Sequence, residues 1–162
     1  MKRAIKKVLT LIYVTLCLVI IYFSASKKIA FSVVSGRSME PTLYNSEVYF
    51  TTKFSKSFKR GDIVVIKEPD KLIVKRIIGV PNDMVEIKDG QTFLNGKPLY
   101  EPYLKGQKTY RTGFYDKTKL KNKEYFVMGD NRSHSSDSRE KGAFKENDIL
   151  GVIRFKIWPF PK

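Results

Sequence analysis

The chain has one cysteine, one histidine and one tryptophan, and no acidic residue before Glu40. A lone cysteine, Cys17, excludes an intrachain disulfide and any cysteine-built metal site. With His134 as the only imidazole, the chain has too few ligands for a zinc centre of the usual Cys/His kind, and neither a metal nor an organic cofactor is indicated. Beyond Lys28 no long 3.6-residue apolar period occurs, which argues against a helical domain. Internal repeats and low-complexity tracts are also lacking.

What is present suits one compact domain with an attached segment: 162 residues, 42% hydrophobic and 13% aromatic. The formal charge is +15, and subtracting Lys2, Arg3, Lys6 and Lys7, which precede the first apolar run, leaves +11 for residues 27–162. Such an excess attracts dense negative charge, of which anionic lipid headgroups are the expected source and nucleic acid is not. A solvated basic surface with no dedicated anionic partner is the simpler account of most of it.

Between Lys7 and Lys27 runs VLTLIYVTLCLVIIYFSAS, nineteen residues without a charge. At helical rise such a run spans roughly a 30 Å hydrocarbon layer. Four basic residues lie before it against Lys27 and Lys28 after it, so the charge bias keeps the N-terminus cytoplasmic and the rest outside. Ser24-Ala25-Ser26 also offers the small residues of a removable signal peptide, but the apolar run exceeds a typical signal core, and a retained anchor is expected. The expected division is a basic segment at 1–7, a transmembrane anchor at 8–26 and an extracytoplasmic domain at 27–162.

In that domain, short β-branched runs separated by turn signals predict a mainly β fold. Strands are expected at Val48–Phe54, Asp62–Lys67, Leu72–Ile78, Met84–Lys88, Gln91–Leu94, Tyr125–Met128 and Gly151–Ile157. Asp89-Gly90 and Asn95-Gly96 read as tight hairpin turns, whose two central residues need positive φ. From 89 to 123 the composition shifts to Lys, Tyr, Thr and Gly, predicting a small inserted excursion within a core of 27–88 and 124–162.

Three segments carry candidate chemistry. SGRSMEPTL places Ser38 just beyond the apolar run, where a serine near proline is by itself only a turn residue. LIVKRIIGVPND sets Lys75 and Arg76 in an otherwise apolar strand; alternation puts Lys75 on the face of Ile73 and Ile77, and Arg76 on that of Val74 and Ile78. Burial lowers a lysine pKa towards the range a general base needs, whereas arginine cannot deprotonate, so of the two only Lys75 suits that role. A lysine snorkelling from an edge strand is the competing reading. GDNRSHSSDSR follows a predicted strand and suits a rigid polar loop, in which Asp130 or Asp137 could pair with Arg132 or Arg139, in a structural or a catalytic role. His134 sits between serines and near Asp137, but a triad is not built from immediate neighbours, and an exposed loop histidine is expected.

Taken together and in this order, the three segments resemble bacterial type I signal peptidases, in the short single-anchor form of Gram-positive members. The resemblance covers nearly the whole chain, including the closing IRFKIWPF. It implies a β-barrel or sandwich-like catalytic core with an inserted β subdomain, and a serine endopeptidase that removes signal peptides from secreted preproteins at small-x-small sites. Ser38 is then the nucleophile and Lys75 its neutral base; Ser135 matches a hydroxyl that orients the lysine, and Asp137 and Arg139 match a supporting ion pair. Gly129 and Asp130 match the start of that loop, and Met39 with the apolar residues after Phe31 lines pockets for small side chains. The Ser38 N–H is one oxyanion donor. Where some members add a serine hydroxyl, this chain has Gly36, so that donor does not transfer, and Ser35 is one residue out of register.

Phe155, Trp158 and Phe160 either rest at a membrane interface or close the core. Two other functions compete: a self-cleaving serine–lysine peptidase of the repressor type, and a non-enzymatic, envelope-anchored basic binding protein.

Overall fold

Runs of Val, Ile and aromatic residues between glycine and asparagine turns form the strands of the computed structural model, which describes residues 2–26, 29–53, 57–113 and 117–159. A helix, α1 (Lys2–Ser26), leads into β1 (Ile29–Val33), β2 (Val48–Lys53), β3 (Ile63–Lys67) and β4 (Leu72–Gly79). Then come β5 (Met84–Lys88), β6 (Gln91–Leu94), β7 (Lys97–Pro98), β8 (Lys117–Lys119) and β9 (Glu124–Met128). A short helix α2 (Ser138–Lys141), β10 (Phe144–Lys145) and β11 (Ile149–Trp158) complete the chain. The seven expected strands are present to within two residues, apart from Phe54, which lies outside the described residues. The edge strand β1, an apolar run with no turn signal to set it off from the preceding segment, was not predicted, and the short β7, β8 and β10 carry too little apolar pattern to be.

All pairings are antiparallel and fall into two sheets. The larger has the order β1-β2-β11-β3-β4-β9-β10, the smaller β7-β6-β5-β8. The larger sheet ends in two free edges, so among the described residues it does not close, and the barrel expected of the core is an open sheet. The smaller sheet takes in β5 as well as the excursion, and its hairpins turn where predicted: Asp89, Gly90, Asn95 and Gly96 all have positive φ.

Pleating divides the large sheet into two faces. Val64, Ile66, Ile77, Val127 and Val152 pack on one. On the other, Val65 and Ile153 pack with Val34, Met39, Leu43 and Tyr49, while Ile78, Phe126 and Met128 pack with Val85, Ile87, Leu94 and Leu120 of the smaller sheet and its flank. The same face thus receives the segment that contains Ser38 and the second sheet.

Described side chains of α1 from Leu9 to Tyr22 are exposed except Cys17, which is half-buried. Among the described residues no helix is long and apolar enough to cross a membrane, so the fold does not establish the spanning segment expected at 8–26.

The sheets meet at Gly79, where a Cβ would come within 2.6 Å of Val85 Cγ2 and 2.8 Å of Leu120 Cδ1. Gly79→Ala is expected to destabilise the protein by about 1–3 kcal/mol through overpacking, read from the denaturation midpoint.

Candidate active site

The pairing of β4 builds the site. On one side β3 follows it along its length, Ile63 opposite Arg76 and Lys67 opposite Leu72. On the other, β9 pairs only from Arg76, opposite Met128, to Gly79. Leu72–Lys75 is therefore an edge, and beside it lies a groove of about 640 Å³ whose opposite wall is the stretch from Phe31 to Met39.

Ser38 stands at that groove with Lys75, whose Nζ lies 2.9 Å from Ser38 Oγ and donates also to the Val74 carbonyl at 3.1 Å. Lys75 is only 4% exposed. Burial lowers its pKa to about 8; the carboxylates of Asp137 and Glu68 pull upwards, and the ammonium groups of Lys141 and Lys71 push further down. The serine is fixed from behind, since its carbonyl accepts from the Asn131 N–H at 3.0 Å and the preceding carbonyl of Arg37 from Asn131 Nδ2 at 3.1 Å.

The polar loop after β9 resolves the pairings left open by the sequence. Asp130 pairs with Arg76 across the strands, 2.8 and 2.6 Å to Nε and the terminal nitrogen, and accepts from Thr42 Oγ1 at 2.5 Å. Asp137 takes Arg139 in a forked pair at 2.8 and 3.0 Å, together with the Ser135 hydroxyl at 2.7 Å and the Gly129 N–H at 3.0 Å. Burial alone would raise the Asp137 pKa, but these donors outweigh it and hold the carboxyl below its ordinary range. Arg132 turns the other way, to Glu101, Thr109 and Thr92 of the second sheet and its flank.

Ser135 thus donates to Asp137, and its hydroxyl makes no hydrogen bond to Lys75 in this structure. Gly129 is required by proximity: a Cβ there would overlap the Ser135 hydroxyl and the Ser38 carbonyl oxygen. Gly36 lies in the groove wall with φ +93° and donates its N–H to Asn45 Oδ1. Met39 is 1% exposed and lines the groove, packed with Val34 and Val65. His134 is exposed at the groove margin and bonds Ser133 and Asn131, with no hydrogen bond to Ser38 or Lys75. Phe155 and Trp158 are exposed too, Phe155 stacked on Phe50 at 4.9 Å, so they do not close the core; Phe160 lies outside the described residues.

Thr42, Asn131 and Glu101 were not singled out from the sequence. Asn131 and Arg132 stood inside the recognised loop, but the partner of Arg132, 31 positions away in the excursion, left no local signal.

A mainly antiparallel β fold with a serine at the mouth of a peptide-sized groove, next to a desolvated amine, has the features of a serine peptidase. The family model for signal peptidase, peptidase S26, matches residues 4–158. Signal peptidase I P of Bacillus subtilis subsp. natto is 44% identical over 143 residues, 80% of this chain and 77% of the relative. Signal peptidase I S of Bacillus subtilis strain 168 is 44% identical over 140 residues, 79% and 76% of the two chains. A crystal structure of a signal peptidase I from Enterococcus faecalis V583 superposes with a TM-score of 0.51 at 30% identity, covering 61% of this chain and 98% of that one. The chain belongs to the signal peptidase family, peptidase S26, and is a serine peptidase. That membership sets aside the non-enzymatic binding protein and the repressor-type alternative.

The burial of Lys75 predicts a stability signature. Its pKa falls from 10.5 in the unfolded chain to about 8 in the folded one, so between those values the unfolded state binds more protons and stability rises with pH. Lys75→Met, which removes the buried ammonium, is expected to stabilise the protein at neutral pH by on the order of 2–3 kcal/mol and to flatten the gain between about pH 8 and pH 10.5. Urea melts across that range measure both.

Proposed function

We propose that the protein removes N-terminal signal peptides from secreted preproteins by a serine–lysine mechanism. The observation that carries this reading is the 2.9 Å contact between Ser38 Oγ and a lysine amine whose pKa burial lowers to about 8. The neutral Lys75 amine takes the hydroxyl proton while Ser38 Oγ bonds to the scissile carbonyl carbon; the proton then passes to the leaving amine. Water, activated by the same amine, hydrolyses the acyl-enzyme. The Ser38 N–H serves as one oxyanion donor, worth about 3 kcal/mol if it behaves like measured donors.

Asp137, Arg139 and Ser135 act by holding the loop that backs the site, with Gly129 keeping the approach close. An extended chain would lie between the Leu72–Lys75 edge and the Phe31–Met39 wall, where main-chain hydrogen bonds and small pockets for alternate side chains favour small residues at the first and third positions before the cut. The uncharged run at 8–26 is proposed as a single membrane anchor with the N-terminus inside and the peptidase domain outside. The exposed apolar side chains from Leu9 to Tyr22 support it, as do the four basic residues before the run against two after it.

Wild type in lipid or detergent is expected to cleave a precursor with an Ala-x-Ala site, with kcat/KM rising with pH until it levels above about 8. Ser38→Ala, Lys75→Ala and Lys75→Arg should each lose at least about a thousandfold, because arginine keeps the charge but cannot accept the proton. Cleavage by folded Lys75→Arg would show that the base lies elsewhere. For the anchor, the full chain is expected to stay with membranes through alkaline carbonate extraction; release into the soluble fraction would refute it.

A further inference from the structure

Every charged side chain that lines the groove beside Ser38 is basic: Arg37, Lys71, Lys75 and Lys141, with His134 at the margin. Among the described residues no carboxylate lines it. Arg37 directly precedes Ser38, is exposed, and has no ion-pair partner among the described residues. Lys71 is 64% exposed at the side chain, on the turn before β4.

The two carboxylates that act on Lys75, Glu68 and Asp137, are already committed elsewhere. Glu68 stands behind the rim with its side chain 9% exposed, 2.5 Å from Lys141 Nζ and 3.9 Å from Lys71 Nζ, one carboxylate shared between two ammonium groups. Asp137 is wholly buried and committed to Arg139. A cleft walled by protein focuses the field of such a one-signed set on whatever enters it.

We propose that Arg37, Lys71 and Lys141 make the groove charge-selective, favouring preproteins with a carboxylate side chain beside the scissile bond and disfavouring those with lysine or arginine there. This rests on the preprotein-processing reading of the site. The selection acts on substrate capture, because rim charges govern encounter and orientation more than the chemical step. An anionic substrate group near Lys75 would also favour its protonated form, so the effect on binding is cleanest above pH 8, where the amine is neutral in the proposed mechanism.

The test uses the full chain in detergent at about pH 9. Two precursor sets with an Ala-x-Ala site carry Asp, Asn or Lys, in one set at the residue after the cut and in the other at the residue between the two alanines. At low salt the Asp precursor is expected to exceed the Lys precursor by roughly tenfold in kcat/KM in at least one set, mainly through KM. In about 1 M salt, where the screening length is about 3 Å, the ratio should fall below about twofold. Arg37→Gln combined with Lys71→Gln should collapse the ratio at low salt, and Arg37→Lys with Lys71→Arg should retain it; if the glutamine variant does not fold, the salt series on wild type decides alone. Equal cleavage of Asp and Lys precursors in both sets, or a ratio indifferent to salt, overturns the charge selection and leaves the peptidase reading standing. Failure of wild type to cleave any precursor overturns both.

Discussion

An ammonium group held out of water is the constraint on which the rest of this site depends. Lys75 closes the edge stretch of β4 that β9 leaves unpaired, yet it is 4% exposed, and its amine has only the Ser38 hydroxyl and one carbonyl for partners. Neither partner carries a charge, so burial is not offset as it would be in an ion pair, and the pKa falls. A lysine at the surface would stay protonated at neutral pH and could not take a proton from serine. The low pKa and the expected loss of stability are two consequences of the same desolvation.

Three buried carboxylates around the loop after β9 are each matched to an arginine. Asp130 is held by Arg76, Asp137 by Arg139 and Glu101 by Arg132, all with side chains 12% exposed or less. Removing one member of such a pair strands a buried charge, whereas the intact pairs fix geometry. Asp130 joins the loop after β9 to β4 and to Thr42, Asp137 ties that loop to itself and to Gly129, and Arg132 ties it to the second sheet. The Ser38 segment is then fastened to the same loop through Asn131. Because Asp137 is saturated by donors, it moderates the charge near Lys75 without sharing its proton.

The early end of β9 is what turns this rigid assembly into a site. Had its pairing with β4 continued past Arg76, strand would cover Leu72–Lys75 and leave no groove. Instead an exposed edge faces the Ser38 wall, with basic side chains along both sides. The same short register gap therefore creates room for an extended substrate, access to the serine and a one-signed field over both.

Much of this was legible in the sequence. Strands with strong β-branched runs were placed nearly to the residue, because alternation and tight-turn signals are local; weak edge strands such as β1 and β10 were not, because their existence depends on a neighbour. Ser38, Lys75 and the loop from Gly129 to Arg139 stood out by motif, and the pairing of a titratable lysine with an arginine beside it in an apolar strand already pointed to Lys75. Tertiary structure decided what local pattern cannot encode: that the sheet stays open, that Asp130 chooses Arg76 over Arg132, that the Ser135 hydroxyl turns to Asp137, and that Met39 packs with Val34 and Val65 at the groove. Each of these is a competition between partners far apart in the chain, settled by which groups the folded sheets bring within hydrogen-bonding distance.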